Sequence, residues 1–204
     1  MAKLNWDVNE FPICYLDNGA EFGKGAIVKE DGDIVKGIYP VGIEGHKAVV
    51  KEDGKVLGIV GKGFNTFYNH QFNDLCEKLE LAGAKFENSQ ELNNGRIVTA
   101  QYSHELMPYS YIGFDGEGEG DDSVKSLFTV ANGHAGALML TFFSTTIRIW
   151  CMNTFICAMR EANKGDNVYF RKRHTAHLKS SVWEFEDNIQ QVAEATNEVL
   201  HQFN

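Results

Sequence analysis

The sequence predicts an α+β fold, an antiparallel β-sheet built from hairpins with about three helices packed on it. Three features carry that expectation. A Lys-Glu-Asp-Gly motif occurs twice near the N-terminus between β-prone arms, period-two apolar patterning runs through the middle of the chain, and helical periodicity takes over in three places. With 204 residues, 43% hydrophobic content, 14 Phe and only 3 Pro, the composition is that of a folded protein, and one domain is expected over residues 1–204.

The elements follow in order. "IVKEDGDIVKGI" (Ile27 to Ile38) and "VVKEDGKVLGIV" (Val49 to Val60) align without gaps. Asp31-Gly32 and Asp53-Gly54 tolerate the positive φ of tight turns, so residues 25–63 read as two hairpins in a four-stranded meander. Over 65–83, Phe67, Phe72, Leu75, Cys76, Leu79 and Ala82 recur at helical spacing, with Gly83 as the stop. Antiparallel strands are expected within 84–143, in "AKFENSQEL", "GRIVTAQYS", "SYIGF", "KSLFTVANG" and "GALMLTFFS", with turns at Asn94-Gly95 and Asn132-Gly133.

A second helix is expected over 144–162, capped by Ser144 or Thr145, with Ile147, Cys151, Thr154, Phe155, Ala158 and Ala162 on its buried face. On that reading Cys151 is a core thiol, Arg148 flanks the core, and Asn153 points away. A C-terminal helix over 181–203 carries Val182, Phe185, Ile189, Val192, Thr196, Val199 and Phe203 in alternating steps of three and four, a narrow seam for packing.

Bulk properties exclude several classes of function. A net charge of −9 argues against indiscriminate binding to nucleic acid or anionic membrane, so any contact with nucleic acid has to come from a local basic patch. No apolar run approaches the length of a membrane span, and no cationic leader opens the chain. Cys14, Cys76, Cys151 and Cys157 form no CxxC pair, which fits a reduced, cytoplasmic protein. The phosphate-loop, dinucleotide-binding, zinc-protease and serine-hydrolase motifs are all missing, so no catalytic residues, cofactor or metal are assigned.

Four clusters remain. Cys151, Cys157, His174 and His177 are zinc-type ligands, but a Cys-x5-Cys spacing turns the two thiols by about 120° around a helix. Asp115, Glu117, Glu119, Asp121 and Asp122 offer oxygens without a calcium-loop pattern and read as a solvated loop. His134, Cys151 and His174 together would suit thiol chemistry.

The fourth cluster is Asn167 to Trp183, which holds no acid in a chain with 28 acidic residues. Arg171, Lys172, Arg173 and Lys179 would neutralise phosphates there, His174 and His177 stand among them as further binding candidates, Tyr169 or Trp183 would stack bases, and Arg148 would add a charge. A solvated basic face is the competing reading of the same residues.

Four short motifs stand out together: Val60, Phe64 and Asn69; Asn132, His134 and Gly136; Arg148, Cys151, Asn153 and Thr154; and Arg173, His174 and Thr175. In them the chain resembles a phage and plasmid protein family known only as a domain of unknown function, number 932. Ala135 stands where an acid is common in the family pattern. The resemblance implies a mobile-element setting and no defined activity. By analogy with the fold of single-strand annealing proteins, it favours a single-stranded DNA binding or annealing accessory that forms homo-oligomers and acts in host cytoplasm. Two other readings stay open: an acidic protein that binds a host protein, and a Cys/His enzyme.

Overall fold

The computed structural model describes residues 4–17, 26–28, 34–36, 39–104, 127–165 and 167–187. The expected "SYIGF" strand, the acidic loop at 115–122 and the helical seam beyond Asp187 lie outside the described residues.

Among the described residues the architecture is α+β, with three antiparallel sheets and three α-helices. Strand β1 (Val8–Asp17) pairs with β4 (Tyr39–Lys51), and β4 pairs on its other side with β5 (Val56–Gly61). Strands β2 (Ala26–Val28) and β3 (Ile34–Lys36) form their own two-stranded ladder. Both expected hairpins therefore form, but not as one four-stranded meander. The 13-residue β4 pairs instead with β1, over Tyr39–Gly42 and Lys47–Lys51, and with β5, over His46–Val50, while β3 pairs with β2 alone. β1 is tolerated despite Pro12 because it is an edge strand with a register shift between Pro12 and Cys14. In the turn from β4 to β5, Gly54 adopts φ +86° and Lys55 N donates to Asp53 Oδ1 at 2.9 Å, as the Asp-Gly pair predicts.

Helix α1 (Asn69–Leu81) buries Phe72, Leu75, Cys76 and Leu79, and Gly83 follows its end at φ +96°. Next come β6 (Ala84–Leu92), β7 (Ile97–His104), β8 (Leu127–Gly133), β9 (Leu140–Thr145), helix α2 (Met152–Lys164), β10 (Val168–Lys172) and helix α3 (Leu178–Asp187). Five of these strands form an antiparallel sheet in the order β10-β9-β8-β7-β6. α3 starts three residues before the expected boundary.

Side-chain alternation sorts this sheet into two faces. Val98, Ala100, Tyr102, Phe128, Val130, Leu140 and Phe142 pack with Phe72, Leu75 and Leu79 of α1 and with Leu178 and Val182 of α3. Ile97, Ala131 and Phe143 face the other way, against Phe155, Ala158 and Ala162 of α2. Coverage on both sides is why every residue of β8 and β9 is buried. A third cluster of Val8, Val49, Leu57 and Val60 joins the smaller sheet to the rest through Trp6, Phe64, Tyr68 and Ala135.

The largest departure from expectation is the start of α2. Residues 144–151 are not helical: β9 runs to Thr145, and the chain then crosses the sheet in irregular conformation. Buried Gln101 on β7 holds the crossing, accepting from Ile149 N at 2.6 Å and donating to Ile147 O at 3.0 Å. Asn88 on β6 donates to Ile149 O at 2.6 Å. Ile147 O, Ile149 N and Ile149 O are thereby committed to side chains and are withheld from helical bonds. α2 then returns, and its 13 residues, about 20 Å long, match the sheet's width of about 19 Å.

Candidate functional site

The basic segment begins on β10, an edge strand, and passes through a short loop into α3. Arg171, Lys172 and Arg173 are all exposed there. With His177, Thr175 and Ser181 they line a groove of about 460 Å³, together with Met139 and Leu178, and no carboxylate stands among its described lining residues. Strand alternation sends Lys172 to the α3 side, like Phe170 against Phe142, and Arg171 to the α2 side. There Arg171 Nη2 donates to Asn163 Oδ1 at 2.9 Å, which fixes its guanidinium at the last turn of α2. Tyr169 stands on β10, and Lys179 and Trp183 on α3, but their side chains lie outside what is described. His177, which belongs to the same basic segment, also lines the groove.

Two residues expected to contact nucleic acid are placed elsewhere. His174 is 6% exposed, with its ring stacked on Phe64 and Nδ1 3.2 Å from Asn65 O, while its own carbonyl accepts from Asn65 N at 2.9 Å. It anchors the basic loop to the chain before α1 instead of facing a ligand. Arg148 lies at the opposite edge of the sheet, paired with Glu87 of β6 at 3.2 Å and over the Trp150 ring at 5.8 Å. Four strand spacings, about 19 Å, separate that edge from β10.

His134, Asn132 and Asn69 join His174 in a buried polar seam between the two larger sheets. Asn132 Nδ2 donates to Phe67 O at 3.1 Å, and His134 N donates to Arg96 O at 2.9 Å. The His134 ring meets Trp6 edge-on at 5.6 Å, and Asn69 Nδ2 donates to Trp6 O at 2.9 Å. Burial pushes His134 down to about 4, helped by the nearby His174, and burial also lowers His174. Both imidazoles are therefore neutral near pH 7. Asp7 caps α1 by accepting from Asn69 N at 2.8 Å and pairs with His70 at 2.6 Å.

Cys151 is exposed and caps α2, which corrects its reading as a core thiol. Thr154 Oγ1 accepts from Cys151 N at 3.0 Å and from Trp150 N at 2.9 Å. Backbone and hydroxyl contacts from Thr154, then the Asn153 amide, hold the thiol below its ordinary range. With both histidines buried in the seam and the thiol's partners at the α2 N-terminus, His134, Cys151 and His174 do not assemble into a catalytic group. Cys157 is likewise exposed on α2, away from buried His174. Among the described residues, no three of His, Cys, Asp and Glu lie close enough to hold a metal ion.

The residues singled out by motif thus fall mainly into three places, with Arg148 apart at the β6 edge: an interior seam (Phe64, Asn69, Asn132, His134, His174), a helix cap (Cys151, Thr154) and an exposed cationic groove. Among the described residues no helix is long and apolar enough to cross a membrane. No curated protein and no solved structure matches the chain. The family model for a domain of unknown function (DUF932) matches residues 56–204, which takes in the seam, the cap and the groove, and the chain belongs to that family.

Proposed function

We propose that the protein binds single-stranded DNA through the groove between β10 and α3, as a non-enzymatic accessory in recombination or replication. One observation carries the reading: Arg171, Lys172, Arg173 and His177 line one open groove with no carboxylate among its described lining residues, on a chain of net charge −9. Isolated lysines and arginines scattered over an acidic surface would be screened by their neighbours. Three exposed cations on one edge track a phosphate backbone. Annealing activity would add self-assembly, which light scattering with and without oligonucleotide measures.

The test is fluorescence anisotropy of a labelled oligonucleotide across a salt series. Three phosphate contacts give a log-log slope of about −2, shallower than the slope of about −3 that a fourth contact from Lys179 would bring. Arg171→Ala with Arg173→Ala should abolish binding at low salt. Wild-type protein that shows no affinity for single strands at low salt, or an affinity indifferent to salt, overturns the reading.

A further inference from the structure

The groove is one end of a longer track. Helix α2 presents Asn153, Ile156, Cys157, Arg160, Asn163 and Lys164 to solvent. At 100° per residue these fall within one stripe about 120° wide, and no acid stands among them. Glu161 sits at the margin of the stripe, half-buried, with its carboxylate turned onto Thr145 and Thr146. At the C-terminal end the stripe meets the groove, because Asn163 holds Arg171. At the N-terminal end stand Trp150, 59% exposed, and Arg148 above its ring. Most of this indole is left out of the core and lies open beside a cation.

We infer that a single strand bound in the groove continues along the exposed face of α2 for about 20 Å, with Arg160 and Lys164 on its phosphates and a base stacked on Trp150. This rests on the reading of the groove as a single-strand site. Charge complementarity names the occupant: the stripe and the groove end carry Arg160, Lys164, Arg171 and Lys172, and the far end carries Arg148, whose guanidinium is shared with Glu87, in a protein whose overall charge repels polyanions elsewhere. Arg148, 19 Å or so from the groove, thereby returns as a contact at the far end of the same path.

The test compares oligonucleotides of about 4 and about 16 nucleotides, which span the groove alone and the whole track respectively. Trp150→Ala should weaken the long oligonucleotide about tenfold, leave the short one unchanged, and remove most of the tryptophan quenching seen on binding. Arg160→Ala with Lys164→Ala should make the salt slope of the long oligonucleotide shallower by about 1.4, with no effect on the short one. Circular dichroism melting of these surface variants should match wild type. If they bind the long oligonucleotide like wild type while Arg171→Ala/Arg173→Ala does not bind, the path is wrong and the groove stands. If wild type binds neither length, groove and path both fall. Loss of a host protein from pull-downs of Trp150→Ala, with DNA binding intact, would assign the stripe to a protein partner and overturn the path.

Discussion

The imidazole of His174 lies on the phenyl ring of Phe64, with centroids 4.7 Å apart and planes 19° from parallel. Together with the paired backbone and Nδ1 contacts to Asn65, this stack ties the loop carrying Arg173 and His177 to the root of α1. His174→Phe keeps an aromatic body on Phe64 and loses one hydrogen bond, so it should cost about 1 kcal/mol in urea unfolding and leave single-strand affinity unchanged. His174→Ala opens a cavity and should cost about 3 kcal/mol. If folded His174→Phe loses affinity, the ring is a ligand contact and not an anchor.

Acid should loosen the seam before it touches the carboxylates. His134 titrates near 4 in the native state against an ordinary value of 6.5, so between those values the unfolded chain holds a proton that the native chain refuses. Stability is therefore complete above pH 6.5 and falls as pH drops toward 4, by about 3 kcal/mol for His134, and lowered His174 adds to it with the same sign. For Asp7, burial alone would raise the carboxyl, but the bonds from His70, Val8 N and Asn69 N outweigh it and hold it below 3.8. Its contribution is lost only at still lower pH. Denaturant midpoints from pH 7 to 4 should slope downward in wild type and much less in His134→Gln; equal slopes would rule out the buried histidine as the source of the acid sensitivity.

A methyl group on Gly58 would stand 2.6 Å from Ala135 Cβ, where β5 meets the turn between β8 and β9. Gly58→Ala should cost about 1–3 kcal/mol through this clash. Ala135→Gly reopens the space, so the double variant should be more stable than the sum of the single losses predicts, in a double-mutant cycle of urea midpoints. Simple additivity would mean that the two units do not touch there.

Cys151 and Cys76 should separate cleanly in alkylation. Burial pushes the Cys76 thiol, on the inner face of α1, up to about 12, while Cys151 is open and its thiolate is favoured by Thr154 and Asn153. Iodoacetamide at neutral pH should label Cys151 faster than an unfolded thiol and spare Cys76 until denaturant is added, read by peptide mass spectrometry. Protection of Cys151 in the native protein would restore it to the core.

The strands β4 to β9 and α1 were legible because local pattern and tertiary role agree, whereas β1 and β10 were not expected: "AKFENSQEL" is β6 residue for residue, and Asp53-Gly54 makes the turn it spells. The helix at 144–162 misled because Ile147, Cys151 and Phe155 share a helical period by coincidence. Ile147 reaches the core from irregular chain, and the determinant of that path, Gln101, stands 46 residues earlier in sequence. No local pattern reports such a bond. The seam was invisible for the same reason, since Asn69, Asn132 and His174 are brought together only by topology. The cationic groove was legible because its cations are consecutive.

Gln101 therefore decides where α2 begins. It is 1% exposed, and its amide meets Ile149 N, Ile147 O and Thr129 Oγ1, the last at 3.2 Å. Gln101→Ala would leave a buried amide and carbonyl of the crossing without their partner and should cost about 2–4 kcal/mol. Gln101→Glu still accepts from Ile149 N but cannot donate to Ile147 O in its ionised form, so its loss should grow as pH rises through the carboxyl's titration. Amide exchange separates the local effect from global destabilisation. In Gln101→Ala, the amides of Ile149 to Cys151 should lose protection by a larger factor than those of β8, whereas a uniform loss would mean that the crossing is held by its apolar contacts alone.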